Sequence, residues 1–143
     1  MRTEFDCPTL PGAYVLVVDL AEPLDFSVAG SRAVRLEPGR YAYCGSARGP
    51  GGLAARLNRH LRPDKPVHWH VDHLTSAGQI AGIGFRVNGR ECDLLEEITR
   101  LPGVRIPVRG LGSSDCASCA AHLAAVDPAF VLAAIGLPNA LAA

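Results

Sequence analysis

Apolar and polar positions recur with two periods along this chain, and the changes of period mark its elements. Residues 14–19 (YVLVVD) follow Pro11-Gly12, are rich in valine and tyrosine, and predict a strand. Residues 32–36 alternate loosely and run into the turn dipeptide Pro38-Gly39. Residues 40–44 then predict a second strand, with Tyr41 and Tyr43 on one face. A glycine-rich loop covers residues 45–52. Leucines at 53, 57 and 61 form an i, i+4, i+8 stripe stopped by Pro63, which predicts a helix with one buried edge. Arg56 and His60 lie four apart and share a face beside that stripe. A short helix is expected over 67–75, a strand over 80–87 closed by Asn88-Gly89, and a helix over 91–100 ending before Pro102-Gly103. Residues 104–108 read as a short edge strand, where Pro107 is tolerated.

The most apolar window, 119–137, contains His122, Asp127, Pro128 and Gly136, so it cannot span a bilayer and predicts two short helices. Asp127-Pro128 suits a helix start, and Gly136 followed by Pro138 suits a stop, giving a helix over 128–135. The order is strand, strand, helix, helix, strand, helix, strand, helix. That is a small α/β or α+β domain. A mostly antiparallel sheet of three or four strands is flanked by helices, with a helical extension from about residue 115.

Length and composition narrow the function classes. The 143 residues suit one domain, and no repeat, linker or composition break marks a second over 1–143. Hydrophobic residues are 48% and charged residues 20%, an ordinary globular balance. Fourteen basic and fourteen acidic residues give zero net charge, which excludes a polycation that coats nucleic acid by charge alone. From Arg32 to Lys65, however, eight basic residues face two acidic ones, Glu37 and Asp64. This basic third reads either as a solvated arginine-rich face or as a localised anion site. The N-terminus, with Glu4, Asp6 and Pro8, lacks the layout of a signal peptide. Five cysteines, an odd number, then suggest reduced thiols in a cytoplasmic protein with no membrane partner.

One constellation runs in order along the chain: Gly12-Ala13-Tyr14, Tyr43-Cys44-Gly45, Leu53-x-x-Arg56-x-x-x-His60, and an acid on the next long helix. It resembles the GIY-YIG endonuclease superfamily. The longer strings GRYAYCGSARGPGGLAARLNRHLR, VHWHVDHL, ECDLL and GSSDC are similar to one branch of unknown function, also found fused to endonuclease III-type repair enzymes in archaea. The resemblance covers about residues 11–123. It implies a GIY-YIG-like fold and a nuclease that cuts DNA phosphodiester bonds with Mg²⁺ or Mn²⁺, in repair and at particular DNA structures. It assigns Tyr14 or His60 as base, Tyr43 and Arg56 around the scissile phosphate, and an acidic helix residue on the metal. The string ECDLL points to Glu91 for that acid. Glu96 competes, one turn deeper, and Glu97 lies on the same helix. The superfamily often places an asparagine late in the site. Asn88 sits in a turn and Asn139 in the tail, so Asp115 or His122 would have to substitute.

The residue chemistry is compatible with those roles and with plainer ones. Hydrolysis of a phosphodiester needs a deprotonated water, charge stabilisation at the phosphoryl oxygens and help for the leaving oxygen. Arg56 offers a planar fork for phosphate and His60 a proton carrier near neutral pH. Mg²⁺ takes few protein ligands and keeps several waters. Tyrosines also favour strands, Arg56 also suits a solvated helix face, and a histidine beside a leucine stripe is often a satisfied core residue. The loop 46–52 opens a helix without Gly-Lys-Ser/Thr, so it is no nucleotide P-loop. With Arg48, Arg59, Arg62 and Lys65 it fits a DNA-backbone contact. In His68-Trp69-His70-Val71-Asp72-His73, His70 and His73 share a face and suit phosphate or metal. Polar caps around a buried Trp69, with His68 and Asp72 paired four apart, are the plainer account.

Finally, Cys116-x-x-Cys119-x-x-His122 has spacing that suits zinc, with Cys92 or Asp115 completing four ligands. Small thiols packing a helix explain it as well. Three functions follow: a metal-dependent endonuclease, a non-catalytic nucleic-acid-binding or repair-partner module of the same fold, and a metal- or redox-responsive protein built on the Cys/His cluster.

Overall fold

The computed structural model describes residues 7–28, 32–62, 65–66, 70–107 and 122–141, apart from the side chains of Val28, Arg32 and His70. The fold is α+β. Strands β1 (Gly12–Leu20), β4 (Gly39–Ala47), β5 (Gln79–Val87) and β6 (Leu123–Val126) form one antiparallel sheet in the order β5-β1-β4-β6. Strands β2 (Leu24–Val28) and β3 (Arg32–Leu36) form a separate antiparallel hairpin. Helices α1 (Gly52–Leu61), α2 (His70–Ala77) and α3 (Glu91–Thr99) flank the main sheet.

β1 is central because both of its faces are apolar. Tyr14, Leu16 and Val18 point into a core closed by Leu53 and Leu57 of α1, Leu74 of α2, and Phe26, Val34 and Leu36 of the hairpin. Ala13, Val15 and Val17 point into a second core closed by Leu94, Leu95 and Ile98 of α3 and by Leu132 and Ile135. The expected leucine stripe of α1 is the buried edge: Leu53 and Leu57 are fully covered, with His60 one turn on.

The C-terminal stretch corrects the expected helices. Leu123–Val126 is a strand, although its two alanines favour helix. The open edge of β4 decides the matter: Arg40 to Tyr43 pair with Val126 to Leu123, and all four β6 residues are buried. The helix expected over 128–135 shrinks to a 3-10 turn at Leu132–Ile135, ended by Gly136 in the left-handed region. Asp127 accepts a hydrogen bond from the Ala129 amide, a local turn in place of a helix cap. Of the expected edge strand at 104–108, the described residues 104–107 form a single bridge, Arg105 to Ala125. The hairpin strand β2, absent from the expected order, has Leu24 and Phe26 at alternate positions. It is set by its pairing of Phe26 with Val34.

Candidate active site

Two glycines hold the first tyrosine in place. Gly45 lies opposite Tyr14 in the β1–β4 ladder, and a Cβ there would stand 2.4 Å from the Tyr14 ring and hydroxyl. Gly12 lets Arg86 of β5 approach equally closely: a Cβ at 12 would lie 2.5 Å from the Arg86 carbonyl. The glycines of the G-x-Y and Y-x-G strings thus make room for the ring and for the neighbouring strand.

Around that ring the structure brings together four of the predicted residues. The Tyr14 hydroxyl lies 2.8 Å from His60 Nε2, and both residues are 1% exposed. The Tyr43 ring is 6.2 Å from Tyr14 and 6.4 Å from His60, centroid to centroid. Arg56, one turn before His60, donates to the Ser46 carbonyl at 3.2 Å and reaches the Tyr14 hydroxyl as well. Burial sets the proton affinities. It raises the Tyr14 phenol well above its usual 10, Tyr43 adding and Arg56 opposing. It pushes Tyr43 up to about 12 and takes His60 down to about 3. At neutral pH the cluster therefore holds two phenols and a neutral imidazole.

The basic residues near α1 divide. Arg59 makes a two-pronged ion pair with Asp72, at 2.9 and 3.0 Å, whose side chain is fully buried; it also donates to the Pro66 carbonyl. Lys65 is 8% exposed and donates to the carbonyls of His60 and Arg62, closing the end of α1, and burial lowers its proton affinity. Arg48 and Arg62 are exposed, with Arg48 donating to the Gly89 carbonyl. An open groove of about 480 Å³ runs along α1 past Gly51, Asn58, Arg59 and Arg62. The His70 side chain is outside the described residues, and His73 stacks on Phe26 at 4.6 Å. Asp72 pairs with Arg59 across thirteen positions, and its expected partner His68 lies outside the described residues.

The three glutamates of α3 also divide. Glu96 is exposed and paired with Arg100, and Glu97 is paired with Arg86, whose guanidinium lowers its proton affinity. Glu91 stands with Cys92 and His122: one ligand atom from each lies within 4.8 Å of the others, and Cys92 Sγ is 3.8 Å from His122 Nε2. Its charge also bears on the Tyr43 phenol. His122 is anchored by its carbonyl, which accepts from the Cys44 amide at 2.9 Å. Cys116, Cys119 and Asp115 lie outside the described residues. Asn139 caps the sheet, accepting from the Ile83 amide. Cys92 beside Glu91 was legible only as a spare zinc ligand, since its approach to His122 depends on β6.

One carboxylate with waters is all that Mg²⁺ asks, but Glu91 stands among a thiol and an imidazole, donors Mg²⁺ does not take. The donor set does not fit Mg²⁺. Among the described residues no helix is long and apolar enough to cross a membrane. Comparison with curated proteins and with solved structures gives no match at the significance applied. The family model described as Domain of unknown function DUF123 matches residues 13–135, from β1 to the end of the 3-10 turn, and the chain belongs to that family.

Proposed function

We propose that this chain hydrolyses DNA phosphodiester bonds as an endonuclease of the GIY-YIG type, with a divalent ion near Glu91, in a repair setting at branched or damaged sites. The observation that carries the reading is the convergence of Tyr14, Tyr43, Arg56 and His60 from β1, β4 and α1. With His60 protonated at Nδ1, its Nε2 accepts the Tyr14 proton while the Tyr14 oxygen takes one from the attacking water. The water oxygen bonds to phosphorus, the ester P–O bond breaks, and the leaving oxygen takes a proton from solvent.

Burial makes His60 a weak base, and Arg56 and Arg59 oppose its protonation further. A phosphate on Arg56 brings negative charge beside the imidazole and raises its proton affinity, so substrate arms the relay. Arg56 supplies a planar fork for the phosphoryl oxygens, and half-buried Tyr43 presents its hydroxyl to the same group. A divalent ion would act as a Lewis acid on the phosphoryl group. Arg48 and Arg62 extend the positive surface along α1 for the flanking backbone, giving weak, salt-sensitive binding.

The burial of Tyr14 and His60 favours one other reading, a module of the same fold that binds nucleic acid, or a repair enzyme, without cutting. The deciding assay incubates the full chain with labelled duplex, single-stranded, flap, junction and abasic DNA, and with RNA. Mg²⁺, Mn²⁺, Zn²⁺ and EDTA are compared, beside Arg56→Ala and Glu91→Gln. Nuclease function predicts cutting that EDTA abolishes and Arg56→Ala slows by about 10²–10³-fold. Retention of DNA by a folded wild type that cuts nothing selects the binding module.

A further inference from the structure

We infer that Glu91, Cys92 and His122 form a site for a thiophilic divalent transition ion of the zinc class. The inference shares Glu91 with the reading above but does not depend on cleavage. Geometry is the first support. Zinc binds sulfur at about 2.3 Å and imidazole nitrogen at about 2.0–2.1 Å, so two such ligands on a tetrahedral centre lie about 3.6 Å apart. The Cys92 and His122 atoms are 3.8 Å apart. The third donor completes a trio within 4.8 Å, which a tetrahedral ion requires to close by roughly an ångström, within reach of a glutamate side chain.

Donor chemistry is the second support. One thiolate, one imidazole and one carboxylate are an S, N, O set, which selects zinc-class ions over Mg²⁺ or Ca²⁺. Two anionic ligands also neutralise a divalent ion, which lowers the cost of holding it where His122 is buried and Glu91 and Cys92 are half-buried. Anchoring is the third. Glu91 and Cys92 occupy the first turn of α3, whose dipole favours anionic side chains. His122 is fixed by the ladder bond from the Cys44 amide. The ligands thus come from the first turn of α3 and from the residue that precedes β6. Among the described residues three side chains supply ligands, and the fourth position would take water, a substrate oxygen or a further side chain.

The test titrates the metal-free, reduced full chain with Co²⁺, whose thiolate charge-transfer band reports sulfur coordination, and then with Zn²⁺ and Mg²⁺ as competitors. No DNA is present, so cleavage and metal binding stand or fall separately. We expect one Co²⁺ per chain, a thiolate band, displacement by one equivalent of Zn²⁺, and none by excess Mg²⁺. Cys92→Ser removes the band, and Glu91→Gln weakens binding at least about tenfold. Circular dichroism confirms that each variant folds; Cys92→Ser and Glu91→Gln are near-isosteric, so they keep the test open if a His122 variant does not fold. The double variant Cys116→Ser, Cys119→Ser keeps the Cys92 band. A folded wild type that shows no thiolate band overturns the inference. So does a band that survives Cys92→Ser and disappears in the double variant.

Discussion

The two faces of the central sheet are built from different chemistry. On the α3 face, Ala13, Val15, Val17, Cys44, Leu94, Leu95, Ile98 and Ala124 make an aliphatic core. On the α1–α2 face, leucines share the interior with Tyr14, His60, Asp72, Lys65 and Thr75. Buried polar groups lose hydration, and they are tolerated where they are paired. The pairs on this face are the Tyr14 hydroxyl with His60 Nε2, Asp72 with Arg59, and Lys65 with the carbonyls that end α1. Replacing a buried ion pair by well-packed apolar residues is often neutral or stabilising. What the polar face adds is a fixed arrangement of a phenol, an imidazole and a guanidinium. Both faces carry a hydrophobic core, and the Tyr14–His60–Arg56 group lies on the α1–α2 face, with the Glu91–Cys92–His122 cluster at the rim of the other.

The largest effect should come from breaking the buried ion pair. Asp72→Ala leaves Arg59, only 17% exposed, without its carboxylate, and we expect a loss of about 3–5 kcal/mol in denaturant melts. Because Asp72 anchors α2 against α1, that loss should be accompanied by weaker DNA binding. The matching change on the aliphatic face, Leu94→Ala, opens a cavity and should cost about 2–5 kcal/mol. It should leave DNA affinity per folded molecule unchanged. Equal loss of DNA affinity in both variants would dissolve the distinction between the faces.

His60 gives the polar face a pH dependence that the aliphatic face lacks. The unfolded chain protonates this side chain near 6.5, the folded chain not until about 3, because burial disfavours the imidazolium. The stability linked to it is whole above pH 6.5 and falls as the pH is lowered toward 3. Comparing melts of the wild type and His60→Asn across that interval removes the shared carboxylate titrations. The difference should shrink by on the order of 2–4 kcal/mol between pH 7 and pH 3. A difference that does not vary with pH would mean the folded chain protonates His60 in the ordinary range.

How much of this was legible in the sequence depends on contact range. Arg56 and His60 share a face because helix geometry puts i and i+4 together, and the leucine stripe shows which edge is buried. Tyr14 and Tyr43 required only that two strands pair. The strand β6 was not legible, because Leu-Ala-Ala-Val carries no strand preference and its pairing comes from the open edge of β4. His122 was therefore placed in a helix with Cys116 and Cys119, with Cys92 as one candidate for a fourth zinc ligand, and the grouping of Glu91 with Cys92 and His122 was out of view. Charge misled in a similar way. Arg59 and Lys65 read as DNA-backbone contacts, but in the fold Arg59 pairs with Asp72 and Lys65 donates to the His60 carbonyl.

Gly45→Ala separates space from chemistry at the polar face. The added methyl would meet the Tyr14 ring at 2.4 Å, and the ring cannot move without leaving His60. Overpacking of this kind costs about 1–3 kcal/mol. Cleavage should be lost in a variant that remains folded, because the Tyr14–His60 contact is displaced. Near-ultraviolet circular dichroism, which reports the tyrosine environment, should change with it. Full activity in folded Gly45→Ala would remove Tyr14 from the reaction.

The smallest effect on stability, and the finest division of the polar face, comes from two tyrosines of β4. Tyr41 and Tyr43 share one side of that strand, two residues apart. Tyr41 is 2% exposed and its hydroxyl donates to the Glu37 carbonyl beside the β3–β4 turn, a local tie. Tyr43 is half-buried and faces Tyr14, His60 and the Glu91 charge. Tyr41→Phe should cost about 0.5–1.5 kcal/mol, the value of an ordinary hydrogen bond, and leave cleavage as it was. Tyr43→Phe should change stability by less than about 1 kcal/mol and slow cleavage at least about tenfold. If the two variants lose activity in proportion to stability alone, then the Tyr43 hydroxyl contributes packing and nothing to the reaction. In that case Arg56 becomes the remaining group of the cluster able to meet a phosphate.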